Sequence, residues 1–441
     1  MENLSRRKLL IKYLVPSILS FLSIFLFTVV DGIFVGQGVG DDGLGAINIA
    51  FPFILFFTAF MMLVTIGGLT ITAIRVGRGD SKGANEVFMH SFVLALAVTV
   101  IFTLVGSFFT DTVSTLLGAN ETYLRMTSDY IFWYGVFFIP CGMCTLFNGF
   151  VRNDGRPGLI TIATIIATSL NIFGDWLFIF PLQMGLKGAA IATGISQTVA
   201  MFIVLPHFLK KKGNLSFHKF RFSWRLTGKI LVRGIPECIA QFCTPVTTVI
   251  SNIILVGQMG EAAENAYSII CYVACFAIAM SSGTAEGLQP LFGQSYGAGN
   301  ESNLKFFRRI GLIIGTVGAA LITVAVILLS DVFCVLYAAN EATAAVTKSC
   351  MGIYAWGYAI QAVTLITSSY LYSTTRTKYA ILINVLRSFI INSGITILLP
   401  AIFGTQAFWA TFAVYEGIMA VISLIVTAVA DRHGAIGKAL E

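Results

Sequence analysis

The 441-residue chain is 56% hydrophobic and only 11% charged, with a mean hydropathy of +0.85. Soluble domains carry about 25% charged residues, so an ordinary soluble enzyme, a disordered chain and a disulfide-stapled secreted domain are excluded and a polytopic membrane protein is implied. The formal net charge of +7 raises the question of nucleic acid, which the placement of the charges decides.

A membrane-crossing helix needs about 20 mainly apolar residues. Twelve such runs follow one another, at 12–38, 46–73, 88–110, 123–150, 158–181, 186–208, 229–258, 266–293, 308–330, 345–372, 378–401 and 405–430. The first is too long for a cleaved signal peptide, carries Pro16 and lacks a small-residue cleavage site. The runs are continuously apolar rather than alternating, which favours helices over a barrel. The eight Cys (141, 144, 238, 243, 271, 275, 334, 350) fall mostly inside these runs and read as free thiols of a membrane core. The four His (90, 207, 218, 433) lie near span ends or in loops, so no His-rich metal site is expected.

Assigning Lys and Arg to alternate sides of this map places 24 of 28 on one side. That side holds the N-terminus with Arg6, Arg7, Lys8 and Lys12, the cluster from Lys210 to Arg233, and the C-terminal Arg432 and Lys438. The other side holds Arg125, Lys187 and Lys348, while Arg387 is inside a span. The asymmetry predicts cytoplasmic termini. It also accounts for the net charge without nucleic acid, since the basic residues sit at span ends near anionic headgroups.

An internal repeat organises the chain. At a constant shift of 220, Pro16 meets Pro236, Gly40 meets Gly260, and Gly67, Gly77 and Gly79 meet Gly287, Gly297 and Gly299. Asp111 meets Asp331, Ala119-Asn120-Glu121 meets Ala339-Asn340-Glu341, and Arg156 meets Arg376. Coincident Pro, Gly, Asp and Arg at one offset are not expected by chance. Six spans fit the offset, an even number, so both halves share one orientation. The expected fold is an all-α membrane protein of twelve transmembrane helices in two pseudo-symmetric six-helix lobes. Their limits are 1–209 for the N-terminal lobe, 210–229 for a basic cytoplasmic linker and 230–441 for the C-terminal lobe. Such a body suits a secondary transporter, and the lack of a Gly-x-x-x-x-Gly-Lys-Ser/Thr loop gives no support for direct use of ATP.

A charge at the centre of a spanning helix costs roughly 2.5–3.5 kcal/mol on insertion scales, which singles out Asp31, Asp175, Glu237, Glu286, Arg387 and Glu416. Asp31 lies 19 residues beyond Lys12 and Asp175 lies 19 beyond Arg156, both on outward spans. Each carboxyl therefore stands roughly 28 Å above its anchor. Asn171 is one turn below Asp175 on the same face, and Thr193 reaches the same level from the outer side. Four oxygen-bearing side chains can thus converge where a small hard cation or a shared proton would bind. If the two acids meet, they titrate as a coupled pair. The alternative is that each ends solvated near the interface or caps a neighbouring helix. The repeat counterparts are Ser251 and Ile395, so the second lobe lacks the pair.

Arg387 and Glu416 reach mid-depth from opposite faces. They read as a buried structural ion pair that fixes helix register, with a substrate or gating role as the sharper alternative. Glu237 and Glu286 fall near cytoplasmic span ends; with Gln241, one turn from Glu237, and Gln289 they are candidates for a cavity or gate. Pro16 and the glycines around Asp31 allow span 1 to bend, although small residues serve close helix packing equally often.

The chain resembles the multidrug and toxic compound extrusion (MATE) family. The resemblance covers nearly the whole chain and rests on the order and spacing of several motifs. They are Val29-Val30-Asp31-Gly32-Ile33-Phe34-Val35-Gly36, Gly77-Arg78-Gly79-Asp80, Asn171-Ile172-Phe173-Gly174-Asp175 and Gly188-Ala189-Ala190-Ile191-Ala192-Thr193, followed by Gly234-Ile235-Pro236, Gly287-Leu288-Gln289-Pro290 and Tyr296-Gly297-Ala298. It implies a twelve-helix antiporter, needing no cofactor, that exports amphipathic, often cationic drugs and dyes against inward H⁺ or Na⁺. It places the cation-binding residues on Asp31, Asn171, Asp175 and Thr193. Some branches put acidic ligands in the second lobe, but span 10 here has no Asp or Glu. The pattern is most similar to the bacterial branch with a first-lobe site. A multi-pass inner-membrane location with no obligate protein partner follows from the same resemblance.

Two rival readings stand beside it. A flippase for a lipid-linked precursor would want a basic cavity, whereas most Lys and Arg here lie in loops. An intramembrane enzyme would need a nucleophile–base or metal set inside the spans, and no His-Glu-x-x-His is seen.

Overall fold

The computed structural model describes residues 5–39, 41–119, 121–337 and 340–433; Gly40, Asn120, Ala339 and Lys438, which enter the repeat and charge patterns, lie outside them. All regular structure among the described residues is helical. The solvent dictates this: inside a bilayer every backbone N–H and C=O must be satisfied within its own segment.

The first half comprises α1 (Arg6–Gly38), α2 (Asp41–Gly77), α3 (Ser81–Phe108), α4 (Thr110–Leu116), α5 (Glu121–Val136), α6 (Phe138–Asn153), α7 (Pro157–Ile179), α8 (Gly185–Val204) and the single turn α9 (Pro206–Leu209). The second comprises α10 (Trp224–Ala240), α11 (Cys243–Ile254), α12 (Glu261–Gly297), α13 (Glu301–Leu328), α14 (Ser330–Leu336), α15 (Glu341–Tyr354), α16 (Trp356–Ser373), α17 (Thr377–Val385), α18 (Asn392–Phe403) and α19 (Phe408–His433). Among the described residues ten helical runs are long and apolar enough to cross a membrane, or eleven if α5 and α6, bent by 52°, form one span. The remaining expected span, 229–258, is interrupted between α10 and α11.

Prolines explain both breaks. Pro140 offers no N–H to the carbonyl of Val136, where α5 ends, and Pro245 offers none to Gln241, just past the end of α10. At the repeat position of Pro140 stands Ile360, and there α15 and α16 run on as one span. Two π-turns add further irregularity, Leu255–Met259 after α11 and Leu386–Ile391 between α17 and α18. Such wider turns mark places where a helix adjusts to a functional or packing demand.

The repeat is written into the helix limits. α12, α13 and α14 occupy the residues of α2, α3 and α4 displaced by 220 at both ends. Before α3 and α13 the chain turns through Gly79 (φ +79°) and Gly299 (φ +66°), a conformation without strain only for glycine. The next residue then caps the helix: Asp80 accepts from the Gly83 amide (2.8 Å) and Asn300 from the Asn303 amide (2.9 Å).

The chain forms two compact units, Val15–Gly234 and Ile235–Glu441 with Met1–Leu14. The switch points after residues 14 and 234 are again 220 apart. Thus α1 starts in the second unit and continues in the first, while α10 does the reverse. Within the first unit α10 packs on α2 with almost no space between backbones. A Cβ on Gly67 would lie 2.0 Å from the Ile230 carbonyl oxygen, and one on Gly234 would lie 1.7 Å from that of Leu63.

The segment 210–223 folds back onto the same unit. Buried Asp154, just after α6, accepts from His207 Nε2 (2.8 Å) and from the amides of Asn214 (2.9 Å) and Leu215 (3.2 Å). Asn85 Oδ1 accepts from the Ser216 amide, and His90 Nε2 accepts from the Ser223 amide, each at 2.9 Å. Leu215 is fully buried, and Phe217 joins Phe88, Phe92, Phe147 and Phe208 in one aromatic cluster. The expected linker is thus a seated strap over 210–223, and the helix of span 7 begins earlier than its apolar run, at Trp224.

The second unit has an aromatic core from α12, α15, α16 and α19, built on Tyr267, Tyr354, Tyr358, Phe408, Phe412 and Tyr415. At its basic end Asp431 takes Arg308 (2.6 Å), Arg376 (3.0 Å) and the Tyr370 hydroxyl (2.9 Å). This ties α13 and α16 to the end of α19.

Candidate functional site

α1 is the least enclosed of the long apolar helices. Its carbonyl at Pro16 accepts from the Ser20 hydroxyl (2.8 Å) and the Thr161 hydroxyl of α7 (2.7 Å), so hydroxyls bind the helix to α7 beside its proline. About four turns higher, α1 and α7 meet again through their acids. The carboxyl groups of Asp31 and Asp175 lie close enough to each other to interact. Two ionised carboxylates have only acceptors and repel each other, so their proximity suits a site that binds a proton or a cation.

Asp175 is fully buried and Asn171, one turn below it, is 2% exposed. The Asn171 amide nitrogen donates to the Thr193 hydroxyl of α8 at 3.2 Å. Among the described residues no protein donor reaches Asp31 Oδ1, either oxygen of Asp175, or Asn171 Oδ1. Gly174 makes this approach of α7 and α8 feasible, since a Cβ there would lie 3.0 Å from that of Ala192. The four predicted first-lobe residues therefore form two pairs joining α1, α7 and α8. The free oxygens fit a proton or a small hard cation, both of which want oxygen acceptors.

Two tyrosines escaped the sequence reading. Tyr130 of α5 lies near both acids and Tyr134 near Asp31, with the two rings 5.9 Å apart. The available signal was their spacing of four, which puts both on one face of α5. Whether that face points at the acids depends on the rotation of the helix, which no sequence pattern in α5 settles.

In the second unit Arg387 sits in the π-turn between α17 and α18. Its Nε and Nη2 both donate to Glu416 Oε1, at 2.9 and 2.7 Å, with the two side chains 5% and 0% exposed. Glu237 accepts from Gln241 (3.2 Å) and lies near Glu286 and Arg387. Gln289 is buried on α12. The helix break at Gln241 is braced from span 11. Asn384 donates to the Pro236 carbonyl (2.6 Å), Ser388 to that of Ile239 (3.4 Å), and Asn392 to the Thr247 hydroxyl (2.7 Å). These three donors recur every four residues, a face that the sequence reading also passed over.

Comparison with known proteins fits this construction. The MatE family model matches twice, at residues 16–177 and 236–398. The chain is 25% identical over 309 residues to the multidrug export protein MepA of Staphylococcus haemolyticus, covering 69% of this chain and 67% of that protein. It is 23% identical over 308 residues to the FAD transporter of Shewanella oneidensis, covering 68% and 67%. The fold superposes on an outward-facing multidrug resistance MATE transporter of the MOP superfamily with a TM-score of 0.90, at 18% identity and 97% coverage of both chains. A mutant of the Vibrio cholerae MATE transporter VcmN gives 0.90 at 20% identity, with 98% of both chains covered. With the family model covering most of its length in two copies, and the twelve-helix two-lobe fold shared, the chain belongs to the MATE family: it is a multi-pass membrane transporter, not an enzyme.

Proposed function

We propose that the protein is a secondary active exporter of amphipathic, often cationic compounds, driven by inward movement of H⁺ or Na⁺ through a site made by Asp31, Asp175, Asn171 and Thr193. The observation that carries the reading is the proximity of the two carboxyl groups of α1 and α7, with unsatisfied oxygens around them. The proximity of two acids suits a proton as the coupling ion, because one proton relieves the repulsion between them. One proton removes one of the two negative charges and lets α1 approach α7; its loss leaves two negative charges that repel each other. The alternation between these states moves α1, which is the least enclosed long helix. Removing a charge from the site also weakens its attraction for a cationic substrate, so ion entry favours release.

Glu237, Glu286, Gln241 and Gln289 of the second unit are proposed to line a substrate cavity or gate. Both termini face the cytoplasm and the membrane is the bacterial inner membrane, as the skewed basic residues support. The kinship with multidrug exporters supports drugs and dyes as substrates. The FAD transporter among the relatives supports a second reading, a phosphorylated anion as cargo; the acids Glu237 and Glu286 favour the cationic one.

The test is dye efflux from vesicles holding the wild type or Asp31→Asn, with pH and Na⁺ gradients collapsed separately. Export should stop in the variant and on collapse of the pH gradient. Undiminished, gradient-dependent export by Asp31→Asn would reject the site, and dependence on Na⁺ alone would reject the proton.

A further inference from the structure

We propose that residues 219–229, at the foot of span 7, form a binding surface for the headgroups of anionic phospholipids in the basic-side leaflet. The strap beneath this surface is held in place. Hydrogen bonds from the amides of Asn214, Leu215, Ser216 and Ser223 end on Asp154, Asn85 and His90 of the first unit. The His90 ring lies against Phe220 (4.8 Å) and Phe222 (5.4 Å) and fixes the last residues of the strap. With the backbone seated inward, the outer face carries Lys219, Arg221, Phe222, Trp224, Arg225 and Lys229, all exposed.

The chemistry of that face is specific. Trp224 is 80% exposed and Phe222 43% exposed, and their rings meet edge to face at 5.0 Å. Nothing in the first unit covers the indole. No Asp or Glu occurs from 210 to 236, and none of Lys219, Arg221, Arg225 and Lys229 pairs with an acid among the described residues. Arg225 and Lys229 stand one turn apart on the same face of α10. Rings with a polar edge prefer the interfacial layer of a bilayer, and Lys and Arg beside them meet the phosphates. α10 enters the membrane directly after this surface, so the ligand most available to it is a lipid phosphodiester rather than a nucleic acid or an acidic protein. Because the backbone is already ordered, binding does not have to fix the chain, which favours affinity.

The proposal is tested on the purified full chain in nanodiscs. Phosphatidylcholine discs are compared with discs containing phosphatidylglycerol, each lipid brominated near the headgroup end of the acyl chain so that it quenches nearby indoles. The difference between wild type and Trp224→Phe isolates Trp224 from the other four tryptophans. Brominated phosphatidylglycerol should quench Trp224 more strongly than brominated phosphatidylcholine. In lipid titrations Lys219→Gln/Arg221→Gln/Arg225→Gln should lose the preference by about a hundredfold, taking roughly fivefold per cation near an anionic surface. Equal quenching by both lipids, or no Trp224 contribution at all, would overturn the proposal, as would displacement of the lipid by inorganic phosphate or an acidic peptide. Should the triple variant fail to fold, the salt dependence of the wild type decides. A preference that survives high salt is not headgroup electrostatics.

Discussion

Asp31 and Asp175 come from helices that the sequence separates by 144 residues, yet one line of arithmetic brought them to the same height. The rise of an α-helix is fixed, so two acids equally far from two basic anchors stand level. Height was legible; azimuth was not, and so Tyr130 and Tyr134 went unseen. If the pair shares a proton, Asp31→Asn and Asp175→Asn should each abolish pH-driven export while leaving the protein folded, since an amide can donate where the protonated acid did. Counting protons released per dye exported, with a pH indicator in the vesicle lumen, checks this; a variant that still exchanges protons for dye removes the pair from the mechanism. Arg387 and Glu416 make a different prediction. Arg387→Met leaves Glu416 buried without its partner and should cost about 3–5 kcal/mol of stability, whereas Arg387→Met with Glu416→Leu should restore most of it. Chemical unfolding in detergent compares the two. A double variant no more stable than the single one would show that the pair is not merely structural.

At the scale of elements, turn chemistry and prolines account for most limits. Gly79-Asp80 and Gly299-Asn300 start α3 and α13 by the same device, and the prolines at 140 and 245 break the helices one turn upstream. Continuous apolarity hid these breaks, because hydropathy measures what a segment dissolves in and not whether its ladder is intact. The contact of α10 with α2 yields a direct test. The atoms nearest a Cβ at Gly67 belong to the backbone of α10, so no side chain can rotate away. Gly67→Ala should destabilise the first unit by about 1–3 kcal/mol through overpacking, read as a lower midpoint of thermal unfolding; an unchanged midpoint would mean that the two helices part freely. The strap gives another. Asp154→Ala removes charge-assisted hydrogen bonds to Asn214 and Leu215, each worth about 1.5–3 kcal/mol. Amide exchange over 210–223 should then accelerate at least tenfold. Unaltered exchange there would locate the strap's anchorage elsewhere.

On the scale of the whole molecule the repeat recurs: the limits of α2–α4 and α12–α14, the starts of the two family-model matches and the switch points of the two compact units carry the offset of 220. An even number of spans per repeat predicts that residues 220 apart share a side of the membrane. Cysteines introduced singly at Gly79 and Gly299 in a background lacking native thiols should both react with an impermeant maleimide from the cytoplasmic side alone. Opposite labelling would break the topology.

The sequence by itself determined the all-helical twelve-span fold and its duplication, and it set the expectation of a shared orientation and of the depth of each buried charge. These follow from lengths, from charge asymmetry and from a rise per residue that does not depend on neighbours. Only the tertiary structure decided which faces meet. The approach of Asp31 to Asp175, the tyrosines beside them, the donors from span 11 that brace the break in span 7, and the seating of the basic strap all depend on helix rotation and packing. In a chain whose helices are apolar on nearly every side, no stripe of the sequence fixes that rotation; close-packed side chains and the need to pair every buried polar group do.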